Sequence, residues 1–483
     1  MNDRRNRDIE KNIRDNQTGE DDNVIYVDTN AEAAKRNSKM KRRLEAKKRT
    51  GLLLILLCVV IVVAVVISYR NRTFRGYKVL ESVDTNYENT ADYVQFASNL
   101  LKYTPDGVSY INENGDTVWT AGVNMKIPVA AVCGNYAVVA DVGGNTVCVF
   151  DIAGQVSSVT MPYNICDVDV ANQGAFAVVL ESDKTNYINL YKKNGDIICE
   201  MQTTIDKSGY PLDISLSDNG EKLFTSYLNV KGTAVSDSLA AYNFGDVGQN
   251  SNADRMVGGY IFENEIFPKV EFVDNNTVVA YGTKNIYVYS MKEKPSEIAK
   301  IGLEQEARSI FYNEGYIGYI CENKENVEHP YMLMVYDTHG RKKFSENIDF
   351  TYDKIYAARK EIIVTGGDSC KIIRLNGSVK FDGTLKNRII SMVPYGKDLE
   401  YVVVYANSTD IIKLKTEPGT SVENGNNDGD DTISDVTAVD TQYKTEEPAS
   451  EDTQSEDTQS EDTPPQEIPS EDTSTVTEDN DTE

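Results

Sequence analysis

The pattern of apolar and polar positions divides the chain into zones with different periods. Thr50 to Tyr69 is a run of 20 uncharged residues, and Leu52 to Ile67 within it is wholly apolar. At about 1.5 Å per residue such a helix covers roughly 30 Å, the thickness of a bilayer's hydrocarbon core. Its β-branched residues, among them Val59, Val60, Ile61, Val62 and Val63, are mediocre helix formers in water. In lipid the backbone has only itself to bond, so helix forms regardless. The run predicts a transmembrane helix over 50–69. Upstream, Thr29-Asn30-Ala31-Glu32 fits a capping box and opens an Ala/Lys/Arg/Glu-rich stretch to Lys48 that can run into the anchor as helix.

Beyond Tyr77 the period changes. Short β-rich runs alternate with Asn, Asp and Gly turns as far as Thr416. One strand recurs: Val108–Ile111, Val147–Phe150, Ile188–Tyr191, Leu239–Tyr242, Ile286–Tyr289, Leu333–Tyr336, Cys370–Ile373 and Ile411–Leu414. Its mean spacing is about 43 residues. Tight-turn residues often follow, as in Asn114-Gly115-Asp116, Asn194-Gly195-Asp196, His339-Gly340 and Asn376-Gly377, because Gly and Asn accept positive φ. A period near 40–45 with four short strands per unit predicts a β-propeller blade. One unit reads strand by strand: Ile165–Val170, Ala175–Leu180, Tyr187–Tyr191 and Ile197–Met201.

The last unit has Ile390–Val393, Tyr401–Tyr405 and Ile411–Leu414, but Pro418-Gly419 follows where an outer strand is due. Tyr77–Ser82 is a strand without a unit, and the first complete unit starts near Tyr93–Ala97. The early strand is therefore expected to complete the last blade, closing the ring and removing an exposed edge. The fold class expected is all-β, an eight-bladed propeller over 77–416, with seven blades or a β-sandwich pair as rivals.

Charge refines this division. Of the net charge of −27, residues 418–483 carry −20, while residues 1–50 carry +4. The segment 417–483, with Ser-Glu-Asp-Thr at 450–453, 455–458, 460–463 and 470–473, lacks the apolar content to bury a core and reads as a disordered acidic tail. Residues 31–50 hold nine Lys/Arg and residues 69–88 hold four. The richer side stays in the cytoplasm, so 1–49 is read as a basic, partly disordered cytoplasmic segment and the propeller as extracytoplasmic. No Ala-x-Ala pattern follows Ile67-Ser68-Tyr69-Arg70, which favours an uncleaved signal anchor over a cleaved leader. The acidic balance excludes a nucleic-acid-binding surface as the main function.

Candidate chemistry is sparse. Cys58 lies in the anchor; Cys133, Cys148, Cys166, Cys199, Cys321 and Cys370 lie in or beside apolar strands, where cysteine serves as a small hydrophobe. At least one disulfide is the alternative. His329 and His339 flank one hairpin with no nucleophile pattern beside them. Asp167 and Asp169 read as turn and channel-rim polar groups, and Asp428-Gly429-Asp430-Asp431 as part of the tail. The stretch Gly245–Gly259 reads as a loop insertion. No residue is assigned as catalytic, cofactor-binding or metal-binding.

Tyr336-Asp337-Thr338-His339-Gly340 and Phe150-Asp151-Ile152-Ala153-Gly154 are similar to blade turns of quinoprotein-like and WD-repeat-like propellers. No Trp-Asp pair closes a unit, and the Trp-bearing quinone repeat is absent, with Trp119 the single tryptophan. The layout over residues 40–416 resembles an uncharacterised family of membrane-anchored propeller proteins of Gram-positive bacteria. That resemblance implies fold and placement and brings no activity or cofactor. The function expected is a non-catalytic binding or scaffolding module of the cell envelope, held to membrane lipid by its helix and meeting an envelope protein. Carbohydrate is the alternative ligand. The rival readings are a polysaccharide lyase or hydrolase and a sensor signalling through the basic segment.

Overall fold

A computed structural model describes residues 29–84, 91–112, 116–183, 185–231, 233–249, 255–313, 315–358 and 360–422. Helix α1 runs unbroken over Thr29–Arg70, starting where the capping box places it. Within it Thr50–Arg70 is apolar enough to cross a membrane, with a mean hydropathy of 3.4 and none of the stretch buried by the rest of the protein. Side chains such as Leu52 and Ile55 are therefore exposed to whatever surrounds the helix.

Eight sheets follow, seven of them wholly antiparallel. Blades 1 to 7 are four-stranded and span residues 92–122, 128–160, 164–204, 210–263, 269–302, 307–348 and 354–384. Within each, the strands are added in chain order from inner to outer. All eight recurrent strands read from the sequence are the third strand of a blade. Blade 8 takes Ser391–Pro394, Glu400–Val404 and Ser408–Lys415, and its fourth strand is Gly76–Asp84. Tyr77 lies opposite Leu414, and the register shifts by one residue between Val79 and Glu81. The ring is thus closed by the strand that follows the helix.

Two details differ from the sequence reading. Blade 8 has a fifth strand, Gly419–Val422, parallel to Gly76–Asp84, so the ladder passes the boundary expected at 416. Pro418-Gly419 is a turn into that strand rather than the start of the tail. The Gly245–Gly259 stretch is only partly loop: Asp246–Gln249 is a helical turn, and Met256 to Gly259 belong to the outer strand Met256–Glu263 of blade 4. Residues 1–28, the Asp428–Asp431 cluster and the Ser-Glu-Asp-Thr repeats lie outside the described residues.

The core is distributed rather than central. Eight buried apolar clusters occur among the described residues, one at each junction between neighbouring blades. Each blade is a sheet with apolar side chains on both faces, so burial requires a neighbour on either side. Trp119 shows the pattern: it stacks between Tyr110 at 5.7 Å and Phe150 of the next blade at 5.4 Å, and its indole N–H donates to the Ile152 carbonyl at 3.2 Å.

Candidate functional site

The inner strands of blades 3, 4, 5 and 6 carry a polar network absent from the inner strands of blades 2 and 8, which are largely apolar. Asp167 and Asp169 alternate with Ile165, Val168 and Val170 on blade 3, which turns both carboxyl groups to one face of the strand. Asp213 and Ser215 occupy the same places on blade 4, and Lys269 and Glu271 on blade 5. Asp213 is buried; Asp167, Asp169, Lys269 and Glu271 are half-buried.

Each blade is stitched to the next. The Ile214 N–H donates to Asp167 Oδ2 at 3.0 Å and the Leu216 N–H to Asp169 Oδ2 at 2.7 Å. One blade further, Val270 N–H donates to Asp213 Oδ2 at 2.7 Å and Phe272 N–H to Ser215 Oγ at 2.9 Å. The other oxygens of Asp167 and Asp169 accept the N–H groups of Val168 and Val170. Lys269 Nζ lies 3.1 Å from Asp213 Oδ1 and 3.3 Å from Glu271 Oε2. The Tyr312 side chain of blade 6 interacts with Glu271.

Four carboxyl groups near one ammonium cannot all ionise freely. Burial pushes Asp169 up to about 6 and Glu271 up to about 7, against the pull of Lys269. Asp213 is held well above the usual carboxylate range by burial, with Lys269 pulling it down and Asp167 pushing it further up. Burial alone pulls the Lys269 ammonium down, but Glu271, Asp213 and Asp167 together hold it well above its ordinary value. The chemistry available is proton exchange at Glu271, which faces the side chains of Lys269 and Tyr312, whereas Asp167, Asp169 and Asp213 hold backbone N–H groups.

Asp167 and Asp169, singled out in the sequence as rim groups, are thus inter-blade fasteners. Asp213, Lys269, Glu271 and Tyr312 were not identified. Their signal was available: inner strands aligned at the blade period place polar residues at 167/169, 213/215 and 269/271. The two histidines do not join this network. His329 pairs with Asp349 beside its hairpin, and the His339 N–H donates to Asp337 Oδ1 at 3.0 Å. Cys58, Cys133, Cys148, Cys166, Cys321 and Cys370 are free thiols, with Cys148, Cys321 and Cys370 buried. Burial and then the Asp218 and Asp169 carboxylates push the Cys133 thiol up to about 12, which keeps it protonated and unreactive.

A second feature is the mount between helix and ring. Six residues separate Gly76 from the end of α1 at Arg70, counting Gly76 itself. They are tied to the outer edge of blade 7. Phe74 forms a parallel bridge with Phe381, and its N–H donates to the Lys380 carbonyl at 2.8 Å. The Thr73 hydroxyl donates to Val379 O at 3.1 Å, Arg374 Nη2 to Arg72 O at 2.7 Å, and Asn376 Nδ2 to Asn71 Oδ1 at 2.9 Å.

The sequence profile of one family, described as a family of unknown function (DUF5711), matches residues 70–414. The chain belongs to the DUF5711 family. The match takes in the mount and all eight blades of this DUF5711 member. No curated protein matches the sequence. Among solved structures, the chain is similar to BamB from Moraxella catarrhalis, at 11% identity and a TM-score of 0.45 over 71% of this chain and 99% of that one. It is similar to Sqt1 from Chaetomium thermophilum, at 10% identity and a TM-score of 0.46 over 71% and 98%. It is similar to the Pan2 WD40 domain of Neurospora crassa, at 7% identity and a TM-score of 0.41 over 73% and 99%.

Proposed function

We propose that this protein is a membrane-mounted scaffold of the cell envelope, which presents one face of a rigid ring to an envelope protein. The mount carries this reading. The residues after α1 bond to blade 7 and then become the closing strand of blade 8. The propeller is therefore held at one height and one orientation relative to the helix. Positive charge before the helix directs the ring outward. Loops on a fixed ring make a precise interaction surface because the scaffold contributes no motion of its own.

The test is crosslinking in intact cells with three chains: the full protein, one ending after Val422, and one with a Gly/Ser linker inserted after Arg70. The chain must not stop before Gly419, because that would remove a blade strand. Capture of one abundant protein by the first two chains, and its loss with the loosened mount, is expected. Equal capture from the loosened mount would defeat the reading. One observation favours a second reading. Glu271, held near neutrality beside Lys269 and Tyr312, is suited to general acid catalysis on a polysaccharide. Turnover of an envelope glycan by the purified chain, abolished by Glu271→Gln, would establish that instead.

A further inference from the structure

The end of α1 and the edges of blades 7 and 8 enclose a cleft of about 1100 Å³. Its lining includes Ile67 and Tyr69 from the last apolar turn of the helix, which sets it at the level where hydrocarbon gives way to water. It also holds six basic side chains, Arg70, Arg72, Lys360, Arg374, Lys380 and Lys415, against two acidic ones, Glu361 and Asp398. Both carboxylates are already engaged. Lys380 Nζ lies 2.7 Å from Glu361 Oε2 and 3.6 Å from Asp398 Oδ1, and the Tyr401 hydroxyl donates to Glu361 Oε1 at 2.6 Å.

The surplus of four positive charges sits on a chain whose net charge is −27. An anion entering the cleft meets that surplus at close range, on exposed side chains that include Arg72 and Lys360. Arg374 sharpens the point. Its guanidinium donates to Ser378 Oγ, Val379 O and Arg72 O, none of them a carboxylate. Burial pulls its guanidinium below its ordinary value in spite of Glu361 and Asp398. Guanidinium groups match phosphate oxygens in geometry and charge.

We propose that this cleft binds the phosphate of an anionic phospholipid headgroup in the leaflet on the propeller side, with Arg72, Lys360 and Arg374 as its donors. The inference rests on the membrane reading above. The lipid tails lie along Ile67, and the headgroup fills the angle between helix and ring. The bound lipid thus completes the mount, and ring orientation depends on lipid charge.

The experiment uses the full chain purified in mild detergent and mixed with phosphatidylglycerol, phosphatidylcholine or inorganic phosphate, with retained molecules read by native mass spectrometry. Selective retention of phosphatidylglycerol is expected. It should fall about tenfold in Arg72→Gln/Lys360→Gln and in Arg374→Gln, the effect of losing charge-assisted hydrogen bonds. The double variant is included because Arg374 also braces the turn at Ser378. Equal retention of the neutral lipid, or unchanged retention by both variants, would sink the proposal. Displacement of lipid by inorganic phosphate at equal affinity would move the ligand into solution and overturn the lipid assignment. Carbonate extraction of cell membranes, run on the same variants, reports the membrane reading separately: a chain stripped from membranes defeats that reading and the leaflet assignment with it, whereas a chain that stays in membranes without selecting phosphatidylglycerol defeats only the lipid proposal.

Discussion

At the residue scale, the inner-strand carboxylates act on stability through hydrogen bonds and through protons. Asp213 receives the Val270 N–H and the Lys269 ammonium. Asp213→Ala leaves the amide without its acceptor and should cost about 1–3 kcal/mol, while Asp213→Asn, which keeps an acceptor, should cost clearly less. Urea unfolding of the two variants measures the difference. The network also predicts a pH dependence. Asp169 at about 6, Glu271 at about 7 and, outside the network, Asp237 at about 7 on the third strand of blade 4, where it accepts the Phe267 N–H at 3.0 Å, lie above the ordinary values of 3.8 and 4.5. Between those limits the folded chain binds more protons than the unfolded one, so stability is highest below the window and falls as pH rises through it. Burial pushes Asp337 up, but its Arg341 and His339 bonds together hold it below 3.8, so it acts oppositely and only at lower pH. Thermal melting from about pH 4 to pH 7 should show a decreasing midpoint, and Asp237→Asn should flatten part of the slope.

At the element scale, the turns between third and outer strands serve two purposes. Gly195 and Gly340 have φ of +90° and +75°, as the turn requires. They also press against the outer strand of the preceding blade. A β-carbon at Gly195 would lie 2.8 Å from Val159, and one at Gly340 would lie 2.6 Å from Ala299. Gly340→Ala therefore combines backbone strain with a clash between blades. It should cost more than the roughly 1 kcal/mol expected of a strained turn alone. An alanine at the open turn glycine Gly367, with φ of +59° and nothing facing it, supplies the comparison in a denaturant series. The fifth strand has a similar device. Any side chain at Gly76 would meet the carbonyl of Glu417, so only glycine lets Gly419–Val422 approach.

At the scale of the whole molecule, the ring is not uniformly sealed. The junction of blades 7 and 8 has 14 buried residues in its cluster, from Tyr77 to Leu414. The junction of blades 8 and 1 has five, with a cavity of about 190 Å³ between Tyr93, Leu100, Tyr395 and Ile411. Local opening follows the lowest density of buried contacts. Native-state amide exchange should therefore be faster in Asn99–Tyr103 than in Glu361–Gly366, and equal protection in the two would contradict this account of the seam. Closure of blade 8 by Gly76–Asp84 keeps that blade intact while its junction with blade 1 breathes, because the two act at different surfaces.

The apolar pattern determined the helix and the eight recurrent strands, and the outer strand missing after Ile411–Leu414 determined the pairing of the early strand with the last blade. Each depends on local physics: a run long enough for a bilayer, an alternation that suits a pleated sheet, a turn that needs Gly or Asn. The fifth strand escaped because Gly-Thr-Ser-Val has no period of its own and borrows its order from Gly76–Asp84. The network of Asp167, Asp169, Asp213, Lys269 and Glu271 escaped as a unit because its partners lie about one blade apart in sequence, as with Asp167 and Ile214, 47 residues on. The cleft beside Arg374 likewise joins Arg72 to a residue 302 positions away. Periodicity reports which face a side chain takes. Only ring closure decides which residue waits on the other side.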